Sequence, residues 1–221
     1  MQKTFFFLLL FLSCLRTGPS FLIAGNAPRR VVKILKVTNG APWGHWGPPQ
    51  YCAEGTYAIG YSLKVEGVQG NGDDTALNAI ALHCKGLDDV RSGGAITSTQ
   101  GNWGNWLRSV SCHDINGRTP SFLTAYALQV EQSIGKGDDT AANYVKFACR
   151  DFAATIRPYE LTAPPGQGSF GNMGSWSENC PANSAICGLQ TKVEEVQNGG
   201  DDTALNNVEF HCCEENLEAG K

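Results

Sequence analysis

The sequence predicts an all-β protein in which three copies of one structural unit pack around a common axis. One acidic motif occurs three times, at intervals of 65 and 63 residues. Between the copies, apolar and polar side chains alternate with the period of a β-strand, and helical periodicity is not sustained anywhere after the leader. The 26 glycines and 10 prolines favour many turns over long helices.

The N-terminal segment has the features of a secretory signal peptide. Lys3 precedes an apolar run over residues 5–12, and small residues that suit signal peptidase follow it. This run is too short to cross a bilayer, which takes roughly 20 apolar residues, and no later segment resembles a membrane-spanning helix. We therefore expect a signal peptide over residues 1–25, with cleavage between residues 20 and 27, and a secreted, extracellular protein without membrane insertion. The mature chain, residues 26–221, is expected to form a single domain.

The charge balance argues against a nucleic-acid partner. The chain has 17 basic and 21 acidic residues, and loss of the leader removes Lys3 and Arg16. No basic cluster is longer than Arg29-Arg30. Binding to nucleic acid requires a basic surface that releases counterions from the phosphates, so we expect no nucleic-acid partner.

The cysteines indicate a disulfide framework. Cys14 lies in the leader, which leaves eight of nine cysteines in the mature chain. An even number in an exported chain is typical of up to four disulfides. Structural zinc sites usually carry closely paired ligands, whereas the four histidines are scattered. We expect neither a metal site nor a cofactor.

The acidic motif lies in a constant setting in every copy. It occupies residues 72–78, 137–143 and 200–206, and each copy reads Gly-Asp-Asp-Thr-Ala and ends in Asn. A glutamate precedes the motif and a cysteine follows it at fixed spacing: Glu66, Glu131 and Glu194, and Cys84, Cys149 and Cys212. The strand-like stretches on either side, joined by a Gly/Asn/Asp turn, predict a β-hairpin.

A second block recurs upstream of each hairpin. Residues 43–46 and 103–106 read Trp-Gly-x-Trp, and residues 173–176 read Met-Gly-Ser-Trp. Each block is followed by a cysteine. One such unit cannot bury both faces of its strands alone, so the three copies should pack their inner faces together. The expected repeats cover residues 36–86, 96–151 and 166–214.

These motifs, together with residues 186–194 and 211–213, resemble the vitelline membrane outer layer protein 1 family over nearly the whole mature chain. The resemblance implies a β-prism of type I, with three Greek-key antiparallel sheets related by internal pseudo-threefold symmetry. It also implies secretion into the outer layer of the egg envelope or another mucosal secretion. An association with weak chito-oligosaccharide transfer comes with the same resemblance.

The acidic pairs are interpreted as structural turns. They are Asp73 and Asp74, Asp138 and Asp139, and Asp201 and Asp202. Successive side chains on a strand point to opposite faces, so neighbouring aspartates rarely give the carboxylate geometry of a glycosidase. A fold-forming turn is needed in every sheet, whereas a reaction needs one site. A cation site and catalysis are the alternatives.

The tryptophans divide into two sets. Trp46, Trp106 and Trp176 recur once per unit, which predicts an aromatic cluster on the central axis. Trp43 and Trp103, with Met173 as the odd member, break the symmetry and are candidates for a ligand-facing rim, because exposed indole faces stack on sugar rings.

No nucleophile motif is present, so we do not expect an enzyme. If there is activity, weak glycosyl transfer on chito-oligosaccharides is expected, with Glu66, Glu131 and Glu194 as candidate catalytic residues. A single glutamate on each hairpin is more often a solvated strand residue.

The repeat register predicts the disulfides. Equivalent positions pair Cys52 with Cys84, Cys112 with Cys149 and Cys180 with Cys212, which leaves Cys187 for Cys213. The adjacent Cys212 and Cys213 keep a second pattern open, Cys180 with Cys213 and Cys187 with Cys212.

The expected function is a structural or barrier protein of an extracellular coat that associates with glycoproteins or N-acetylglucosamine-containing glycans. A lectin-like carbohydrate-binding module and a weak chito-oligosaccharide transferase are the alternatives.

Overall fold

The computed structural model describes residues 29–67, 75–88, 90–114, 117, 119–132, 140–161, 168, 170–196 and 203–216. In these residues the regular secondary structure is entirely β-strand, and no helix suited to crossing a membrane is found there. The predicted signal peptide lies outside the described residues. The strands are β1 Val31–Leu35, β2 His45–Trp46, β3 Gln50–Tyr51, β4 Thr56–Val65, β5 Leu77–Gly86, β6 Ser92–Thr97, β7 Asn105–Trp106, β8 Val110–Ser111, β9 Ser121–Val130, β10 Ala142–Asp151, β11 Tyr159–Glu160, β12 Asn172–Met173, β13 Ser184–Val193 and β14 Leu205–Glu214.

Three long hairpins each form the centre of one antiparallel sheet. The first sheet has the order β6-β5-β4-β7, with β8 also paired to β4. The second has the order β11-β10-β9-β12, and the third has β1-β14-β13-β2, with β3 also paired to β13. In each sheet a fourth strand returns beside the first strand of the hairpin, which is the Greek-key order. The prediction of an all-β prism of three Greek-key sheets is confirmed.

The sheets do not coincide with the sequence repeats. Each Trp-Gly-x-Trp block pairs with the hairpin that precedes it, so that β7 pairs with β4 and β12 pairs with β9. Residues 29–42, the described segment before the first block, contain no hairpin, and the strand β2 of this block pairs with β13 near the other end of the chain. The N-terminal strands β1, β2 and β3 therefore complete the third sheet.

Inward-facing residues of the long strands fill the centre of the prism. At the same level of each sheet two of them form a cross-strand pair, and none of the six is exposed to solvent: Tyr61–Leu82, Tyr126–Phe147 and Leu189–Phe210. Ring centroids lie 4.6 Å apart between Tyr61 and Phe147, and 5.0 Å apart between Phe147 and Phe210. These contacts join residues of all three sheets in one core.

Four disulfides are present, and they are the pairs that the repeat register predicts: Cys52–Cys84, Cys112–Cys149, Cys180–Cys212 and Cys187–Cys213. The first three join neighbouring sheets. For example, the Cys112 amide donates to Ile59 on β4 of the first sheet, whereas Cys149 lies on β10 of the second. Cys112–Cys149 links the first sheet to the second, Cys180–Cys212 links the second to the third, and Cys52–Cys84 links the third to the first. The fourth lies within the β13–β14 hairpin.

Candidate functional site

A cluster of glutamate, threonine and asparagine side chains lies at the same end of every hairpin. In the first hairpin, Thr75 Oγ1 donates to Glu66 Oε2 at 2.6 Å, and Asn78 Nδ2 donates to Thr75 Oγ1 at 2.7 Å. The second and third hairpins repeat the arrangement with Glu131, Thr140 and Asn143, and with Glu194, Thr203 and Asn206. Each candidate catalytic glutamate is therefore part-buried and accepts a hydrogen bond from a threonine of its own hairpin.

The local backbone explains why the motif needs these residue types. The strand register shifts by one residue between the pairs Val65–Leu77 and Lys64–Ala79, which places Asn78 on a β-bulge. The preceding Ala76 has φ +44°, in the left-handed region, and its carbonyl accepts the Glu66 amide at 2.8 Å. Ala141 and Ala204 have φ +48° at the equivalent positions. The Thr-Ala-x-Asn part of the motif thus encodes a bulge with a buried asparagine.

The buried asparagine also holds the segment that leads into the next Trp-Gly-x-Trp block. Asn78 Oδ1 accepts the backbone amide of Trp103 at 3.1 Å, and Asn143 Oδ1 accepts that of Phe170 at 3.0 Å. Phe170 is therefore the structural equivalent of Trp103.

The third block therefore begins three residues earlier than the Trp-Gly-x-Trp pattern predicts. Gly44, Gly104 and Gly171 share φ values of +74°, +78° and +76°, and a Cβ on any of them would overlap the backbone of the adjacent hairpin. The third block is thus residues 170–173, Phe-Gly-Asn-Met. Met173 pairs with Gln129 as Trp106 pairs with Lys64, so Met173 corresponds to the second tryptophan of the block. The Gly-Asn dipeptide shared with residues 104–105 is the sequence signal for the correct register.

The predicted axial cluster of Trp46, Trp106 and Trp176 is wrong. These side chains are 40%, 44% and 40% exposed. Trp46 and Trp106 lie on two-residue edge strands, and the axis is already filled by the inward pairs of the long strands. Of the two rim candidates, Trp43 is half-buried against the core, whereas Trp103 is 46% exposed.

Trp103 lines a cleft of about 380 Å³ between the first and third sheets, which we call the Trp103 cleft. Residues of the first sheet and its connection to β7 contribute Thr75 and the segment 99–103, and the third hairpin contributes residues 193–196 and Ala204. The cleft combines an exposed indole with the carboxylates of Glu194 and Glu195 and the amides of Gln100 and Asn102.

The wall that carries Trp103 is fixed by hydrogen bonds from both sheets. Thr191 Oγ1 on the third sheet donates to the Thr99 carbonyl at 2.6 Å. Lys64 Nζ on the first sheet donates to the Gly101 carbonyl at 2.9 Å and to the Asn102 carbonyl at 3.2 Å. The indole is therefore presented on a rigid segment, which lowers the conformational entropy lost on binding.

The structure brings together only some of the predicted site residues. Glu194 and Trp103 line the same cleft, and Glu66 reaches its wall through the hydrogen bond from Thr75. Trp43 packs against the core, and Glu131 binds Thr140 on the second hairpin. The six aspartates of the acidic motifs lie outside the described residues, so their assignment to structural turns stays a prediction. Among the described residues no group of three or more potential metal ligands is found.

Two histidines occupy equivalent positions on the outer faces of the first and third sheets. His83 Nε2 lies 2.7 Å from Ser62 Oγ, and His211 Nδ1 lies 2.7 Å from Tyr51 Oη. Burial lowers the pKa of both imidazoles below the usual value of 6.5. Neither histidine belongs to a recognisable sequence motif, so the sequence alone predicts no role for them.

Comparison with known proteins identifies relatives over most of the chain. Residues 33–215 match the family described as Vitelline membrane outer layer protein I. The vitelline membrane outer layer protein 1 homolog of Homo sapiens is 42% identical over 181 residues, which cover 81% of this chain and 82% of that protein. The homolog of Mus musculus is 40% identical over 185 residues, with 83% and 85% coverage. Among solved structures, the artocarpin–mannotriose complex is 12% identical, with a TM-score of 0.44 over 83% of this chain and 97% of that chain, a similarity that carries no argument about function.

Proposed function

The chain belongs to the vitelline membrane outer layer protein I family, and we propose that it is a secreted structural protein of an extracellular coat that associates with glycoproteins or N-acetylglucosamine-containing glycans. Four disulfides support a location outside the cytosol, where thiols are not kept reduced. Export would follow cleavage of the leader between residues 20 and 27.

The single observation that supports glycan association is the Trp103 cleft. A pyranose ring has an apolar C–H face, which packs on an indole, and a rim of hydroxyl groups, which bond to carboxylates and amides. The cleft offers the indole of Trp103, the carboxylates of Glu194 and Glu195 and the amide of Asn102. Its volume of about 380 Å³ suits one or two sugar rings rather than a long chain.

A titration with chitotriose tests this proposal. We expect Trp103→Ala to weaken binding by about tenfold or more, since one aromatic stack contributes roughly 1 kcal/mol or more beyond its buried area. The matched control is Trp106→Ala, which removes an indole of nearly equal exposure that does not line the cleft. Equal affinity of both variants and the parent chain would contradict the proposal.

A weak chito-oligosaccharide transferase is the second candidate, because two carboxylates line the same cleft as Trp103. The recurrence of the Thr-to-Glu hydrogen bond in all three hairpins favours a structural role for Glu194 over a catalytic one. The Glu194→Gln variant separates the two functions. A transferase would lose product formation from chito-oligosaccharides while it kept its affinity, whereas a binding protein would have no turnover to lose.

A lectin-like module without a coat function would bind glycans equally well but would not be recovered with the coat after high-salt washing.

A further inference from the structure

The outer face of the second sheet differs from the other two at one level. His83 on β5 pairs with Gly60, and His211 on β14 pairs with Gly188. The equivalent pair in the second sheet is Ala148 on β10 with Ala125 on β9. At this level the first and third sheets each carry one imidazole on the outer face, whereas the second sheet carries the methyl groups of Ala125 and Ala148.

The sequence contains the cause of this difference. The last residue of each block is separated from the following cysteine by a spacing that differs in the third copy. The spacing is six residues for Trp46–Cys52 and Trp106–Cys112, but seven for Met173–Cys180. Six residues allow the short strands β3 and β8 to form, which approach Gly188 and Gly60 so closely that a Cβ there would overlap them. In the described part of the second sheet no such strand pairs with β9, so Ala125 is tolerated.

The extra residue opens a groove of about 410 Å³, which we call the Trp176 groove. Ala125 and Ala148 form its floor. Pro158 and Glu160 form one wall, and the segment with Trp176, Ser177 and Asn179 forms the other. Trp176 has no aromatic counterpart in the other sheets, since the corresponding positions hold Pro49 and Ser109.

Lys146 connects the two walls. Its Nζ lies 3.1 Å from Glu160 Oε2 and 4.8 Å from the centroid of the Trp176 ring. Lys146 lies two residues before Ala148, on the same face of β10, so these contacts lie beside the groove. The indole and the carboxylate are thereby held in fixed positions, although both side chains are substantially exposed.

We propose that the Trp176 groove is a second glycan site that takes an acetamido sugar, with its ring on the face of the Trp176 indole that Lys146 does not cover and its acetamido methyl on the alanine floor. The hydroxyl groups of the sugar would bond to Glu160 and Asn179. Ser177 is already engaged, because its Oγ accepts the Tyr126 amide and donates to the Glu178 carbonyl. This inference rests on the proposed association with glycans but names a different site.

Two sites on different parts of the prism would make the protein a cross-linker. The Trp103 cleft lies between the first and third sheets, whereas the Trp176 groove lies on the outer face of the second. A chain with one site can only decorate a glycan, but a chain with two can join glycan strands, and the avidity of the assembly then exceeds either affinity.

Indole N–H resonances of the full secreted chain test the proposal, because its five tryptophans report separately. On titration with chitotriose, we expect the resonances of Trp103 and Trp176 to shift with independent affinities, while those of Trp46 and Trp106 stay in place. A stationary Trp176 at saturation would overturn the second site. A stationary Trp103 beside a shifting Trp176 would instead overturn the proposed cleft and leave the groove.

The variant Ala148→His sharpens the test. It introduces the residue that the fold already accommodates at His83 and His211, so the melting temperature should change little. We expect the imidazole to fill the groove, to weaken the Trp176 response at least tenfold, by about 1.4 kcal/mol, and to leave the Trp103 response unchanged. An unchanged Trp176 response would overturn the assignment.

Two further comparisons keep the proposal falsifiable if Ala148→His does not fold. Calorimetry should find two sites in the parent chain, one in Trp176→Ala and two in Trp46→Ala, which removes an equally exposed indole. Two sites in Trp176→Ala would contradict the groove.

Cellotriose, which lacks the acetamido group, should bind the groove about tenfold more weakly than chitotriose, since the methyl and its amide lose their contacts. Equal binding would exclude the acetamido sugar as the ligand class.

Discussion

The hairpin ends and the outer faces of this prism follow opposite rules. At the hairpin ends, one cluster of glutamate, threonine and asparagine recurs in all three sheets with the same hydrogen bonds. On the outer faces, the first and third sheets carry a histidine where the second carries Ala148. Threefold recurrence therefore indicates residues that every sheet needs in order to fold. Departures from the symmetry indicate where a binding surface can have formed without cost to the fold.

The largest expected effect comes from the disulfides that join different sheets. The double variant Cys112→Ala/Cys149→Ala opens a loop with a sequence separation of 37 and should lower the free energy of unfolding by about 4 kcal/mol. Cys187→Ala/Cys213→Ala should cost only about 2 to 3 kcal/mol, because Cys180–Cys212 still constrains the same segment. Denaturant unfolding measures both. A larger loss from the second pair would contradict the importance of the bonds between sheets.

The next largest effect concerns the glycine of the Trp-Gly-x-Trp block. Gly104 has φ +78°, and Gly104→Ala adds a Cβ that overlaps the backbone of Val65. We therefore expect the free energy of unfolding to fall by about 2 to 4 kcal/mol. Gly94 has φ +69° with open space around it, so Gly94→Ala carries the backbone strain alone, about 1 to 2 kcal/mol. Thermal melts of the two variants compare them. Equal losses would mean that the close approach to the hairpin is unimportant.

A smaller effect compares two asparagines of the cluster. Asn143→Ala leaves the Phe170 amide without its acceptor and should cost about 2 to 3 kcal/mol. In Asn206 the equivalent Oδ1 has no partner among the described residues, so Asn206→Ala should cost about 1 kcal/mol less. The difference in denaturation midpoint measures this bond. If both variants lost the same stability, the loss would come from the hydrogen bonds that the Nδ2 groups of both asparagines donate.

The smallest effect is a pH dependence specific to the histidine-bearing sheets. Burial, with a further contribution from Lys36, lowers the pKa of His211, and Glu209 opposes this shift. A base whose pKa is lower in the folded state destabilises the fold as protons bind, so stability should be retained above pH 6.5 and lost as the pH falls through that value. We expect His211→Gln to reduce the slope of stability against pH below about pH 6.5. An unchanged slope would show that the imidazole does not contribute.

The sequence predicted most of the fold because its repeats carry their own register. Cys112 and Cys149 could be paired from the repeat register, because each occupies a position that recurs in all three repeats. The exchange of strands between repeats could not be predicted, because a block at fixed spacing fits the hairpin before it as well as the one after it. The motif that Trp176 completes with Gly174 predicts an axial position for it, whereas the left-handed backbone at Gly171 and the pairing of Met173 with Gln129 identify the true register.

The candidate site was predictable only in part. Trp103 was singled out as a residue that breaks the symmetry, and it lines a cleft with Glu194. The pairing of each glutamate with a threonine nine residues away depends on the bulge at the asparagine, which no apolar pattern reports. The Trp176 groove depends on one additional residue before Cys180. This insertion can be recognised in the sequence only after the third block has been aligned correctly with the other two.

The pairing of β1 with β14 has a consequence for biogenesis. The strands β1, β2 and β3 leave the ribosome first, but their partners in the third hairpin are synthesised last. Until the third hairpin is synthesised, the edges of these N-terminal strands therefore lack their native partners, which is a hazard for aggregation. The third sheet can therefore be completed only after β14 has been synthesised, so a nascent chain that stops before β14 lacks the partner strand of both β1 and β13.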